Sequence, residues 1–160
     1  MDKQKLLQRV IETLLQREKE AKQSLETTRR IAVEAPGAMQ SKSDTTKWQM
    51  SQRAGAIERV LLETQQALSS LKRLMNYSPV ITKGSVYAII EAKNLGDNSC
   101  AKYFLLPAGG GNTYDMEGEF ITVINISAPL ARAFIGVVVG DEVEVKIQET
   151  TKQFNIVSIT

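Results

Sequence analysis

The sequence predicts an α+β chain in two parts: an antiparallel coiled-coil hairpin over residues 1–76 and a small α+β domain over residues 77–160. Three observations predict it. Two ladders with alternating steps of three and four run through the first part. The two ladders mirror each other about a single residue. After Pro79 the pattern changes to short β-branched and aromatic runs separated by Gly, Pro, Asn and Asp turns.

The ascending ladder is Leu7, Ile11, Leu14, Glu18, Ala21, Leu25, Thr28 and Ala32. The descending ladder is Met50, Ala54, Ile57, Leu61, Thr64, Leu68, Leu71 and Met75. Reflection through Ser41 pairs Leu7 with Met75, Ile11 with Leu71, Leu14 with Leu68, Leu25 with Ile57 and Ala32 with Met50. The weaker layers, Glu18 with Thr64, Ala21 with Leu61 and Thr28 with Ala54, obey the same reflection. Chance gives single amphipathic helices; it rarely gives two in complementary register. Residues 7 to 32 would span roughly 38 Å at 1.5 Å per residue. An arm of that length suits either a dimerisation coil or a probe that carries its tip to a distant site.

The first helix is expected from Lys3 to about Val33 and is ended by Pro36 and Gly37. Ala35 to Asp44 form the tip. Ser41 and Ser43 are candidate N-caps of the second helix, and Ser41-x-x-Asp44 fits a capping box. The second helix runs to about Met75 and is broken by Tyr77-Ser-Pro79. Strands are expected at Ser85–Ile90, Ala101–Leu106, Glu119–Asn125, Glu142–Ile147 and Phe154–Ile159. Pro129–Ile135 reads as a short helix with proline in its first turn and Gly136 as its stop. Gly109-Gly-Gly111 lacks a following Gly-Lys-Ser/Thr and a helix start, so it reads as a structural loop and not as a phosphate cradle.

Composition excludes several chemistries. There is no histidine, which removes Ser-His-Asp and Cys-His catalysis and the commonest transition-metal ligand. Cys100 is the one cysteine, so no internal disulfide can form and a reducing compartment is expected. No long apolar run is present and the N-terminus MDKQKLLQRV is already amphipathic, so a soluble, cytoplasmic protein without a membrane span is expected. Residues 1–76 carry 14 Lys/Arg against 9 Asp/Glu, whereas residues 77–160 carry 6 against 9. A basic arm on an acidic body suits an arm that meets something negative. The arm lacks the clustered Arg/Lys and interleaved aromatics of a direct nucleic-acid binder.

The stretch Ile124-Asn-Ile-Ser-Ala-Pro-Leu-Ala-Arg-Ala-Phe-Ile-Gly136, then Val-Val-Val-Gly140-Asp141-Glu-Val-Glu-Val145, resembles the GreA/GreB family of bacterial transcription elongation factors. The family pattern is similar to I-S-x-x-S-P-L-A-R-A-L-I-G, three residues, then G-D-x-V-E-V. Ala128 stands where the family usually has serine, so the short helix is expected to lack that N-cap hydroxyl. The resemblance implies an FKBP-like fold for the second domain. It implies an accessory factor, not an enzyme, that docks on RNA polymerase at the rim of its secondary channel with the hairpin inside. As polymerase-binding residues it implies Ser127, Pro129, Arg132 and Asp141. It also implies a monomer that meets backtracked RNA, and DNA, only indirectly.

In the family, acidic tip residues help the polymerase's own metal site hydrolyse backtracked RNA, because carboxylates can hold a second hard cation and position water. The chain itself would then need no cofactor beyond magnesium shared with the polymerase. The family tip is similar to G-D-L-x-E-N-A-E-Y; here the second helix begins Lys42-Ser-Asp-Thr-Thr-Lys-Trp48. Placing Trp48 on the tyrosine puts Asp44 on the central glutamate and Ser41 on the aspartate. Placing Gly37 on the glycine puts Ala38 and Ser41 on the two acids. Asp44 is the one catalytic-type carboxylate that the motif retains, with Glu34 able to supply another from the far side of the loop. A regulator that occupies the channel without stimulating cleavage is the alternative reading. An FKBP-like chaperone is further off, since the body offers few aromatics for a proline pocket and the hairpin would go unexplained; a dimeric scaffold, with the ladders pairing between chains, is a third class.

Overall fold

The computed structural model describes residues 2–34, 41–77, 79–147 and 149–160; for residues 41–46 and 147 it describes the backbone alone. Two helices come first, α1 (Lys3–Glu34) and α2 (Ser41–Leu74). Then follow β1 (Ile89–Asn94), β2 (Cys100–Leu106), β3 (Thr113–Met116), β4 (Glu119–Asn125), α3 (Pro129–Phe134), β5 (Glu142–Ile147) and β6 (Thr150–Ile159). The chain divides into one compact unit of Glu12–Ser69 and another made of Met1–Ile11 with Ser70–Thr160.

In the unit Glu12–Ser69 the two ladders form the seam. Leu14, Leu25, Thr28, Thr64 and Leu68 are buried. Glu18, Ala21, Ala32, Met50, Ala54, Ile57 and Leu61 are half-buried, so no ladder position faces open solvent. The two threonines would cost stability if their hydroxyls were unpaired. Each instead donates back to the carbonyl four residues earlier, Thr28 to Ser24 and Thr64 to Val60, both at 2.7 Å. Polar side chains tie the helices together on one flank of the seam: Arg29 pairs with Glu58, and Gln65 Nε2 donates to Glu18 Oε1 at 3.0 Å.

The other unit is built on a six-stranded sheet in the order β3-β4-β2-β1-β6-β5. The β2–β4 pair is parallel and the other four pairs are antiparallel. Strand alternation gives the sheet two apolar faces. Ile90, Ala92, Leu105, Phe154 and Ile156 form one face and pack with Ala131 and Phe134 of α3 and with Val137. Phe134 is the centre of this core, with Tyr103 and Phe154 rings 5.5 and 5.9 Å away. Ile89, Phe104, Leu106, Ile121 and Val123 point the other way and are also buried. The first turns of α1 supply cover in this unit: Leu6, Leu7 and Val10 are fully buried. Arg9 donates to the Asp115 carbonyl, Lys5 pairs with Glu117 at 3.5 Å, and Lys3 lies 5.8 Å from the Tyr87 ring centre.

The strand expected at Ser85–Ile90 begins only at Ile89 and continues to Asn94. Tyr87 takes a φ of 73°, which no regular strand accommodates. Downstream, Glu91, Lys93 and Asn94 are poor strand formers. They are held extended because β1 is paired on both sides, with β2 and with β6. The edge strand β3 is also absent from the pattern-based expectation; four residues with Thr and Asp carry too little periodicity to announce it.

Candidate functional site

The segment from β4 to β5 is shaped by short local devices. Asn125 Oδ1 accepts from the Ser127 amide at 2.9 Å and from its hydroxyl at 2.8 Å, an Asx-type turn that ends β4. Ala128 is extended and gives α3 no side-chain cap, as its missing hydroxyl requires; Pro129 starts the helix instead. Gly136 follows with φ of 86° and halts the helix. Its amide donates to Gly84 O at 2.7 Å, and the Gly84 amide donates to Val137 O at 2.8 Å. A Cβ on Gly84 would lie 1.7 Å from the Phe134 carbonyl oxygen, so only glycine allows this clasp.

Ser127, Pro129 and Arg132 are exposed within two turns of one another in sequence, so the fold brings these three predicted residues onto one short stretch. Asp141 differs. Its Oδ2 accepts from the Val138 amide at 2.8 Å, and its own amide donates to Val138 O at 3.1 Å. The carboxylate is occupied in closing the turn that feeds β5. Apolar neighbours outside the expected set are also exposed on this segment: Ile135, Val138 and Val139, the last at 57%. The run Ile135-Gly-Val-Val-Val-Gly140 was the available signal, because three consecutive valines between glycines cannot all turn inward.

At the hairpin's other end, Glu34 is the exposed last residue of α1. A carboxylate there faces the negative end of the helix dipole, so its position is not a stabilising one. The backbone of Ser41, Ser43 and Asp44 lies in the opening turn of α2; their side chains, and residues 35–40, lie outside the described residues. Nearby, Val33 is 82% exposed and Trp48 is 65% exposed, large apolar groups presented to solvent near the tip. Among the described residues no group of three or more His, Cys, Asp or Glu is placed to hold a metal ion. No described helix is long and apolar enough to cross a membrane.

The chain carries a helical hairpin and a mixed sheet with a clasped short helix. Residues 84–160 match the family described as "Transcription elongation factor, GreA/GreB, C-term". Over those residues the chain is similar to the C-terminal domain of GreA/GreB transcription elongation factors. Factors of this family are accessory proteins that stimulate the polymerase's own transcript cleavage and need no cofactor of their own. Among solved structures, the chain is similar to GreA factor homolog 1 of Thermus thermophilus, at 14% identity and TM-score 0.40, over 94% of each chain. The corresponding Thermus aquaticus protein gives 15% identity, TM-score 0.39 and 92% of each chain. A GreA/GreB factor from Nitrosomonas europaea gives 20% identity and TM-score 0.37, over 59% of this chain and 79% of the other. No curated protein matches the sequence.

Proposed function

We propose that the chain binds RNA polymerase at its secondary channel, docks through the body and inserts the hairpin, and acts mainly by occupying the channel. The family match of residues 84–160 supports the docking half of this reading. On the body, the docking residues are Ser127, Pro129 and Arg132, joined by the exposed Ile135, Val138 and Val139; Asp141 holds the turn that presents them. Residues 1–76 form the inserting arm and residues 77–160 the docking body. RNA and DNA are met through the polymerase, and a single copy of the chain occupies the channel.

The tip sequence carries the second half. A second metal ion in the polymerase site is held best by two carboxylates, since each hard ligand contributes charge and displaces water. The motif places Asp44 alone, with serine at Ser41. Cleavage stimulation is therefore weak or absent in the wild type. The decisive assay is RNA cleavage in a stalled, backtracked polymerase complex. Ser41→Asp is expected to raise cleavage, because it restores two carboxylates three residues apart on one helix face. Strong wild-type cleavage that persists in Asp44→Ala would overturn the assignment and direct attention to Glu34.

A further inference from the structure

The sheet face that carries α3 has a hollow in it. Ala92 of β1 and Ala101 of β2 stand opposite each other there, on the face shared with Ile90 and Tyr103. Two alanines side by side leave a gap that larger neighbours would close. The hollow has a volume of about 180 Å³, and its walls are Tyr103, Phe154 of β6 and Leu130 in the first turn of α3. Ala92 and Phe154 are buried, and Ala101, Tyr103 and Leu130 are half-buried, so the floor and walls are apolar and sunk in the sheet. A cavity of roughly 150 Å³ accepts one benzene ring, whereas sites for drug-sized ligands run from about 300 Å³ upward. This hollow takes one ring or one branched aliphatic group.

Opposite charges stand at its mouth: Asp97 in the β1–β2 turn and Lys152 near the start of β6, both exposed. Asp97 Oδ1 accepts from the Ser99 hydroxyl and from the Ser99 amide, the latter at 2.9 Å. These bonds first, and the Lys152 charge after them, hold the Asp97 carboxyl below its ordinary pKa, so it is ionised at neutral pH. Lys152 is near enough to act on Asp97, yet among the described residues the two form no ion pair and the ammonium has no hydrogen-bond partner. The Tyr103 hydroxyl also has no hydrogen-bond partner among the described residues. Burial, and then the Asp97 charge, push its phenol pKa up, so it keeps its proton and can donate. An anion, a cation and a phenol donor around one apolar hollow complement a small molecule that carries both charges beside one apolar group.

We infer that this hollow binds a free apolar α-amino acid, its side chain against Ala92, Ala101, Tyr103 and Phe154, its ammonium toward Asp97, and its carboxylate toward Lys152 and the Tyr103 hydroxyl. An apolar side chain within a peptide would fill the hollow but bring no charge to the rim. A phosphate would meet the like charge of Asp97 as well as Lys152. Only the zwitterion answers both rim charges and the apolar floor at once. The rim groups are exposed to water, so binding is weak, in about the millimolar range. The site lies wholly in the unit that holds the sheet and is independent of the polymerase reading.

Amide NMR of the full chain, titrated with L-leucine or L-phenylalanine from about 0.05 to 20 mM, tests it. The expected result is saturable shifts at the amides of Ala92, Ala101, Asp97 and Lys152. L-leucinamide lacks the carboxylate and N-acetyl-L-leucine lacks the ammonium, and each is expected to bind about tenfold more weakly than leucine. Asp97→Asn is expected to abolish the preference for leucine over its N-acetyl form and to keep the preference over the amide. Lys152→Gln is expected to do the reverse. Both positions are exposed, and the same spectra report that the fold is kept. No saturable shift by about 20 mM overturns the proposal. So does N-acetyl-L-leucine N-methylamide binding as tightly as leucine, which would make the hollow a seat for a peptide side chain. Preferences that survive both substitutions equally overturn it.

Discussion

Tyr87 combines three features that each cost stability. It sits at φ of 73°, the residue is 3% exposed, and its hydroxyl is buried without a hydrogen-bond partner among the described residues. Burial, and secondarily the Asp2 charge, push its phenol pKa up. The ring is retained because it packs edge-on against Tyr77 at 5.9 Å, tilts against Phe104 at 5.5 Å and lies under Lys3. Tyr87→Phe keeps those contacts and removes the unpaired hydroxyl, so it is expected to stabilise the chain by about 1 kcal/mol in thermal or urea unfolding. A raised folded pKa means the phenol's share of stability is complete below its unfolded pKa and is lost as pH rises through the folded one. Tyr87→Phe should therefore hold its melting temperature better than wild type above about pH 10. Gly84→Ala tests the clasp beside α3. Its Cβ would meet a backbone carbonyl that cannot turn away, and the expected loss is about 3 kcal/mol, read by urea unfolding. Neither residue was legible as special: Gly84 sits among ordinary turn residues, and no local pattern foretells a tyrosine at positive φ.

Helices and strands were legible to different degrees, for one physical reason. The hairpin repeats its contacts every three or four residues, so its register about Ser41 could be read from spacing, and the burial of Leu14, Leu25, Thr28, Thr64 and Leu68 follows that register. Strand limits depend on neighbours distant in sequence. β1 runs through Glu91, Lys93 and Asn94 because β2 and β6 flank it, and nothing in those residues announces it. The seam gives a direct test. Leu25→Asp buries a carboxylate without a counter-ion and is expected to cost about 3–5 kcal/mol, with loss of helix signal from the hairpin. Thr28→Val is expected to change stability by under about 1 kcal/mol, since the lost hydroxyl already had a local carbonyl partner and its methyl is replaced in kind. A Thr28→Val loss near that of Leu25→Asp would mean the hydroxyl, not the packing, holds this layer.

Across the molecule, the base of the hairpin and the sheet share a unit, because Met1–Ile11 group with Ser70–Thr160. The helix-breaking residues Tyr77-Ser-Pro79 mark in the sequence where the second helix stops. A fragment of residues 79–160 lacks Leu6, Leu7 and Val10, which are fully buried and belong to the same unit as the sheet. Such a fragment is expected to bind a hydrophobic dye and to melt well below the full chain. A fragment that melts at the full chain's temperature would show that α1 contributes no cover. The candidate docking segment was legible because Pro129, Gly136, Gly140 and Asp141 are turn and cap residues with fixed spacing.

One feature of the sheet bears on how the chain is made. β6 is the last strand in chain order yet an inner strand in space, seated between β1 and β5. Until it is synthesised, β1 has a free edge and β5 has no partner at all. The nascent hairpin can close on local contacts long before then, whereas the sheet must wait for its long-range pairings. During translation the chain therefore passes through a stage with a finished coil and an open, apolar half-sheet, the interval in which chaperone capture or aggregation has its opportunity.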